Sequence, residues 1–180
     1  MYEFEKLDEA RHFLSRMTAS VEQPKAFRYE LSAFLSAIRS VLQYALEEAK
    51  VKCGGQAWYD AQVAGNAVIK FFKDKRDVGI HHQPVVPATS INIAMTDVLH
   101  FSDSASIKVM DQDGKVVQEV TTIPEPAPPR EFSPPVISYR HTFADWTGPE
   151  DVPALCSTYL AVVEAVVSDG VVKGYLTKPS

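Results

Sequence analysis

The chain has 180 residues, of which 46% are hydrophobic and 23% charged. This composition excludes wholesale disorder and sets the expectation of a single domain, with at most an appendage. Eighteen basic side chains stand against 23 acidic ones, a net charge of −5. The imbalance is local: residues 1–83 carry 12 basic and 11 acidic groups, net +1, whereas residues 84–180 carry 6 and 12, net −6. A phosphate-bearing partner is therefore expected at the first half and repelled by the second. No uninterrupted apolar run approaches the ~20 residues that span a bilayer, and Met1-Tyr2-Glu3-Phe4-Glu5-Lys6 lacks an apolar signal core, so the expectation is a cytoplasmic chain without membrane partners. Cys53 and Cys156 are far apart, with no CxxC spacing. They are expected as free thiols and provide neither a disulfide framework nor a zinc site.

In chain order, the first 83 residues read as helices. Phe4, Leu7, Leu14 and Met17 fall near helical spacing over about residues 3–17. Pro24 suits the first turn of a second helix, in which Phe27, Phe34 and Val41 recur every seven residues, as do Leu31, Ile38 and Ala45. Ser32, Ser36 and Ser40 mark another line of that helix, narrow enough for a neighbour to come close. Gly54-Gly55 stops it near Lys50. A third helix is expected from Gln56 to about Val78, carrying Trp58, Val63, Val68, Ile69, Phe71 and Phe72, and it cannot pass Gln83 because Pro84 follows.

Beyond Pro87 the period changes. Ile91, Ile93, Met95, Leu99 and Phe101 alternate, as do Ile137, Tyr139, His141 and Phe143, and both runs read as strands. Between them, Asp111-Gln112-Asp113-Gly114 joins two β-rich stretches as a hairpin tip. The stretch 124–135 has six prolines and reads as a connector. A last, strongly apolar helix is expected from Val152 to about Ser168, opened by Pro153 and stopped by Gly170. The expected fold is thus α+β and mainly helical. It comprises an up-down four-helix bundle (1–83 and 150–170) with a small antiparallel sheet (88–146) between helices three and four, as one domain overall.

The densest polar cluster is Lys70-Phe-Phe-Lys-Asp-Lys-Arg-Asp-Val-Gly-Ile-His81-His82, at the end of the third helix. Arg76 and His81 are five apart, about 140° around an unbroken helix. Either Gly79 bends the chain to bring them together, or a second copy completes the site. Asp77 and His81, four apart, share a face, so the carboxylate can orient the imidazole. As a plain surface, the same residues make a solvated helix end with an i,i+4 pair, Lys73–Asp77.

Arg76-Asp77-Val78-Gly79-Ile80-His81 resembles the R-x4–6-H signature of HEPN domains, and the helix Phe27-Arg-Tyr-Glu-Leu-Ser-Ala-Phe-Leu-Ser-Ala-Ile-Arg-Ser is similar to the second helix of many bacterial proteins of that kind. The resemblance covers roughly residues 1–83 and the last helix. It implies a homodimer whose two motifs face one cleft, binding RNA or a nucleotide, with no metal and no cofactor, and in active members cutting RNA. By position, His81 is then the general acid or base, Arg76 the phosphate clamp and Asp77 the orienting group, with Lys73, Lys75 and His82 toward the phosphates. His82 satisfies the spacing as well as His81. The competing expectation is a non-catalytic interaction or scaffold protein that engages a protein partner through the acidic β region and the proline connector. His141, alternating with Tyr139 and Phe143, is expected to pack in the core and not to hold a metal.

Overall fold

A computed structural model describes residues 2–81, 85–95, 105–122 and 134–178, and the side chains of residues 76–81 lie outside that description. Within it the chain is mixed α and β, with five helices and two small two-stranded sheets. It divides into two compact units. One comprises residues 1–92 and 138–180, the other residues 93–137.

The first unit is built on helices. α1 (Tyr2–Ala19) and α2 (Pro24–Ala49) are joined by a short turn and pack against each other. Pro24 opens α2, where a missing amide proton costs nothing. The two seven-residue series become its buried face: Phe27, Leu31, Phe34, Ile38, Val41 and Ala45 are all fully enclosed. Gly54 takes φ +78°, a left-handed conformation open to glycine, and turns the chain into the next helix. Gly55 sits so close to the Ala49 carbonyl that no Cβ fits there.

The expected third helix is two helices, α3 (Gly55–Ala64) and α4 (Ala67–His81). The break falls at Gly65-Asn66. The Asn66 Oδ1 accepts hydrogen bonds from the amides of Val68 (3.0 Å) and Ile69 (3.1 Å), so it caps a new helix start where an uninterrupted helix was expected.

α5 (Val152–Val172) packs against α1, α2 and α4 and supplies Leu155, Tyr159, Val163 and Val167 to the core. The Asp151 carboxylate caps it by accepting from the Ala154 amide at 2.9 Å. The stop expected at Gly170 is not there. The helix runs on to Val172, and Gly174, at φ +78°, makes the left-handed turn. Gly170 serves packing, since a Cβ there would lie 2.7 Å from the Trp58 ring and 2.8 Å from Leu176. Among the described residues α5 is the one helix long and apolar enough to cross a membrane by length and composition. A search for uninterrupted apolar runs overlooks it because Glu164 and Asp169 divide the stretch. Here it is a core helix.

β1 (Ala88–Ala94) pairs with β4 (Val136–Thr142). Thr89 bonds to His141 and Ser90 to Arg140, an order that runs in opposite senses on the two strands. The alternating Ile91, Ile93 and Met95 are exposed. The rest of that run, with Leu99 and Phe101, lies outside the described residues.

In the second unit, β2 (Ala105–Met110) and β3 (Val116–Thr122) form the expected antiparallel hairpin, with Ile107 opposite Val120 and Lys108 opposite Glu119. The Asp111 Oδ1 accepts from the amides of Asp113 and Lys115, and Gly114 at φ +79° completes the turn. The proline connector lies outside the described residues except for Pro134 and Pro135.

Candidate nucleic-acid interface

The polar cluster singled out in the sequence belongs to α4, whose first half is held from both sides. Ile69 and Phe72 are buried, and the Phe72 ring stacks on Tyr159 of α5 at 4.5 Å between centroids, 9° from parallel. Phe71 meets Phe143 at 5.6 Å and Trp146 at 4.9 Å, both in the segment that follows β4. Contacts on two faces fix the direction in which the helix leaves the core.

Four residues further along, the aromatic face acquires a charge. The Lys75 ammonium pairs with the Asp145 carboxylate at 2.5 Å and lies over the rings of Phe71 and Phe143, 5.6 and 5.2 Å from their centroids. Its charge is thus already answered by a carboxylate and two π faces, and phosphate contact by Lys75 requires exchanging Asp145 for the phosphate. Lys70, Lys73 and Asp74 are exposed. Nothing local in the sequence marks Asp145 as the partner of Lys75. It lies 70 residues away, and only the return of β4 to α4 brings the two together.

The helix continues through Gly79 to His81. Gly79 therefore does not bend the chain, and of the two arrangements expected from the spacing, the bent helix is not the one adopted. Positions 76 and 81 remain about 140° apart around one axis, and positions 77 and 81 about 40° apart. The side chains of Arg76, Asp77 and His81 lie outside the description, as does the whole of His82.

The remaining polar candidates resolve into structural roles or lie outside the described residues. His141 is 1% exposed, with its ring stacked on Phe27 at 3.8 Å. The Val21 carbonyl, 2.8 Å from Nε2, can only accept, so Nε2 carries the proton and Nδ1 accepts from the Thr89 hydroxyl at 2.9 Å. Neither nitrogen is left for a metal. The alternating run of the first strand beyond Met95 and most of the proline connector, with the polar residues they carry, lie outside the described residues. Among the described residues no group of three His, Cys, Asp or Glu is placed to hold a metal ion.

Two carboxylates that sequence reading passed over are central to the fold. Asp169 accepts from Trp58 Nε1 (2.7 Å), Gln62 Nε2 (3.1 Å) and Lys173 Nζ (2.9 Å), and the Trp58 bond, helped by Lys173, holds its pKa below the ordinary value. Glu48 accepts from the Thr177 amide and hydroxyl, both at 2.6 Å, and from Lys52 at 3.2 Å. Burial works to raise its pKa, but the bonds from Thr177 and Lys52, together with the positive charge of the chain's α-amino group, outweigh it and bring the carboxyl down to about 2. Cys156 is buried and its pKa is pushed up by burial, whereas Cys53 is exposed.

Comparison with family models, curated proteins and solved structures finds no match to this chain.

Proposed function

We propose that this is a HEPN-like protein, its four-helix bundle formed with α3 and α4 together in the place of the third helix. It binds RNA or a nucleotide in a cleft shared by the α4 ends of two copies, in the cytoplasm. The observation that carries the reading is the unbroken course of α4 through Gly79. One helix cannot aim positions 76 and 81 at a single atom, whereas two copies can pair the arginine of one with the histidine of the other. The aromatic contacts of Phe71 and Phe72 support it by fixing the direction of the rod that carries the motif.

In the catalytic form of this proposal, the imidazole of His81, or of His82, takes the proton of a ribose 2′-hydroxyl. The freed oxygen forms a bond to the adjacent phosphorus as the bond to the 5′-oxygen breaks. That oxygen is protonated as it leaves, giving a 2′,3′-cyclic phosphate and a 5′-hydroxyl. Arg76 offers its guanidinium fork to the phosphate oxygens as charge builds, and Asp77 orients the imidazole one turn away. Lys73 extends the positive edge. Lys75 joins it only by leaving Asp145.

The test is cleavage of end-labelled single-stranded RNA by the purified protein between about pH 5 and 8, the range over which an ordinary imidazole titrates. Arg76→Ala, and whichever of His81→Ala or His82→Ala removes the working imidazole, are expected to lower the rate by about 10²–10⁴ with helix content unchanged. Binding without cleavage rejects the nuclease and keeps the binding site. If the protein neither binds nor cuts RNA or nucleotides, the proposal fails and the interaction reading is left.

A further inference from the structure

The turn that follows β4 sets a ring, a cation and a carboxylate around one aromatic side chain. The Trp146 amide donates to the Phe143 carbonyl at 3.2 Å, which closes the turn across Ala144 and Asp145. This turn lies against α4, and Phe71 is the neighbour its members share. The Phe71 ring meets Trp146 at 4.9 Å and Phe143 at 5.6 Å, and the Lys75 ammonium lies 5.6 Å from its centroid while pairing with Asp145. Phe72, the next residue, is buried in the core. The Phe71 group is at the surface instead: Phe71 and Trp146 are half-buried and Asp145 is exposed.

The half-buried indole is oriented before any ligand arrives. Its Nε1 donates to Glu150 Oε2 at 2.8 Å. A Cβ at position 148 would lie 2.4 Å from that nitrogen and 2.0 Å from that oxygen, so the bond depends on Gly148. The amide bond to Phe143 fixes the backbone of Trp146, the Glu150 bond fixes the far edge of the ring, and Phe71, with 61° between the ring planes, bounds one side. A ring held in this way takes a planar partner with little further loss of its own freedom.

We propose that Trp146 is a stacking platform for a base of single-stranded RNA, and that Asp145 favours bases with an exocyclic amino group. The platform rests on the RNA-binding reading and deepens it by naming the part of the strand that is read. A nucleotide carries a π face, a phosphate and polar base edges, and the patch has a group for each. The base lies on the uncovered part of the indole, and its phosphate draws Lys75 off Asp145. That exchange is open because the Asp145 side chain is 59% exposed, and an ion pair so wet is weak. The released carboxylate accepts from the amino group of adenine, cytosine or guanine. Where cytosine has its amino group uracil has a carbonyl oxygen, which a carboxylate repels. The place on α4 fits as well. Position 76 follows Lys75 directly and position 81 lies six residues on, about 9 Å of helix rise, so a strand anchored at Trp146 runs close to the motif.

The test uses short oligocytidylate and oligouridylate, 2′-O-methylated so that neither strand is cut. Anisotropy of the labelled strand reports whether RNA binds at all, and tryptophan emission reports where. Of the two tryptophans in the chain, Trp58 is 7% exposed and bonded to Asp169, so quenching by a stacked base belongs to Trp146. Both strands are expected to quench the wild type, a result that needs no variant. In Trp146→Leu the quenching is expected to vanish and the affinity to fall at least about fivefold. Oligocytidylate is expected to bind about tenfold more tightly than oligouridylate, and Asp145→Asn, at an exposed position, to remove most of that preference with circular dichroism unchanged. Binding without quenching, or a Trp146→Leu protein that binds as the wild type does, overturns the platform and leaves the proposed function standing. Equal affinity for the two strands, or a preference that survives Asp145→Asn, overturns the role of Asp145. If neither strand binds, the proposed function falls and the platform with it.

Discussion

The imidazole of His141 has two ring nitrogens, and the fold provides a partner for each. The Val21 carbonyl takes the proton of Nε2, the Thr89 hydroxyl supplies one to Nδ1, and Phe27 covers the ring face. A polar side chain at 1% exposure persists only when its hydrogen bonds are made. His141→Phe keeps the ring and loses both bonds, leaving the half-buried Val21 carbonyl without its donor while the exposed Thr89 hydroxyl turns to water. It is expected to lower stability by about 1–3 kcal/mol, read from the urea midpoint at neutral pH, and an unchanged midpoint would contradict the assigned role. The alternation Tyr139-Arg-His141-Thr-Phe143 is enough to place His141 on the inward side of a strand. Its partners are 52 and 120 residues away, and no local signal names them. Gly170 teaches the complementary lesson. A glycine late in an apolar helix reads as a stop, yet here its missing Cβ is what admits Trp58. The indole is in turn fixed by its bond to Asp169 and by stacking on Tyr175 at 5.2 Å.

At the scale of the elements, patterns with many repeats transferred well from sequence to structure, and single breakers did not. α2 carries apolar residues through seven turns, and its limits agree with those expected to within a residue. The hairpin of β2 and β3 rests on Asp111 and Gly114, whose side chain and backbone conformation each perform a specific task in the turn. The division between α3 and α4 was missed because Gly65-Asn66 is compatible with a continuous helix, and Val63, Val68 and Ile69 are close enough to its period to hide the interruption. What decides is the asparagine side chain, which satisfies two amides of a new first turn. Asn66→Ala removes that cap and is expected to cost about 1 kcal/mol, a fall in melting temperature of roughly 2–4 °C for a chain of this size, with helix content by circular dichroism unchanged. An alanine variant that melts higher would mean that the break is held by packing and not by the cap.

At the scale of the molecule, the C-terminal segment is tied back to α2 by Glu48, through both the amide and the hydroxyl of Thr177. The carboxyl titrates at about 2 in the folded chain, against roughly 4.3 when unfolded. A depressed carboxylate contributes stability above its unfolded pKa and loses it as the pH falls through the folded one. The contribution of Glu48 is therefore full at neutral pH and fades between about pH 4.5 and 2. Comparing urea midpoints, the advantage of the wild type over Glu48→Gln is expected to be largest near neutrality and to shrink steadily on acidification through that window. A difference independent of pH would show that the carboxylate charge has no part in the tie.

The amino-acid order alone determined most of the stretches that become helix or strand, though not the break between α3 and α4, and it determined which face of α2 turns inward and that the basic and histidine-bearing cluster closes the last helix before the strands. Those properties are set by neighbours a few residues apart, through helical period, strand alternation and turn chemistry. The tertiary structure decided the rest. It answers Lys75 with Asp145, secures His141 between Val21 and Thr89, and joins Glu48 to Thr177, and it turns Gly170 from a helix stop into a seat for an indole. Each of these is a meeting of groups 50 to more than 100 residues apart. A local pattern cannot encode such meetings, because they exist only after the hydrophobic core has closed and fixed the distances between its elements.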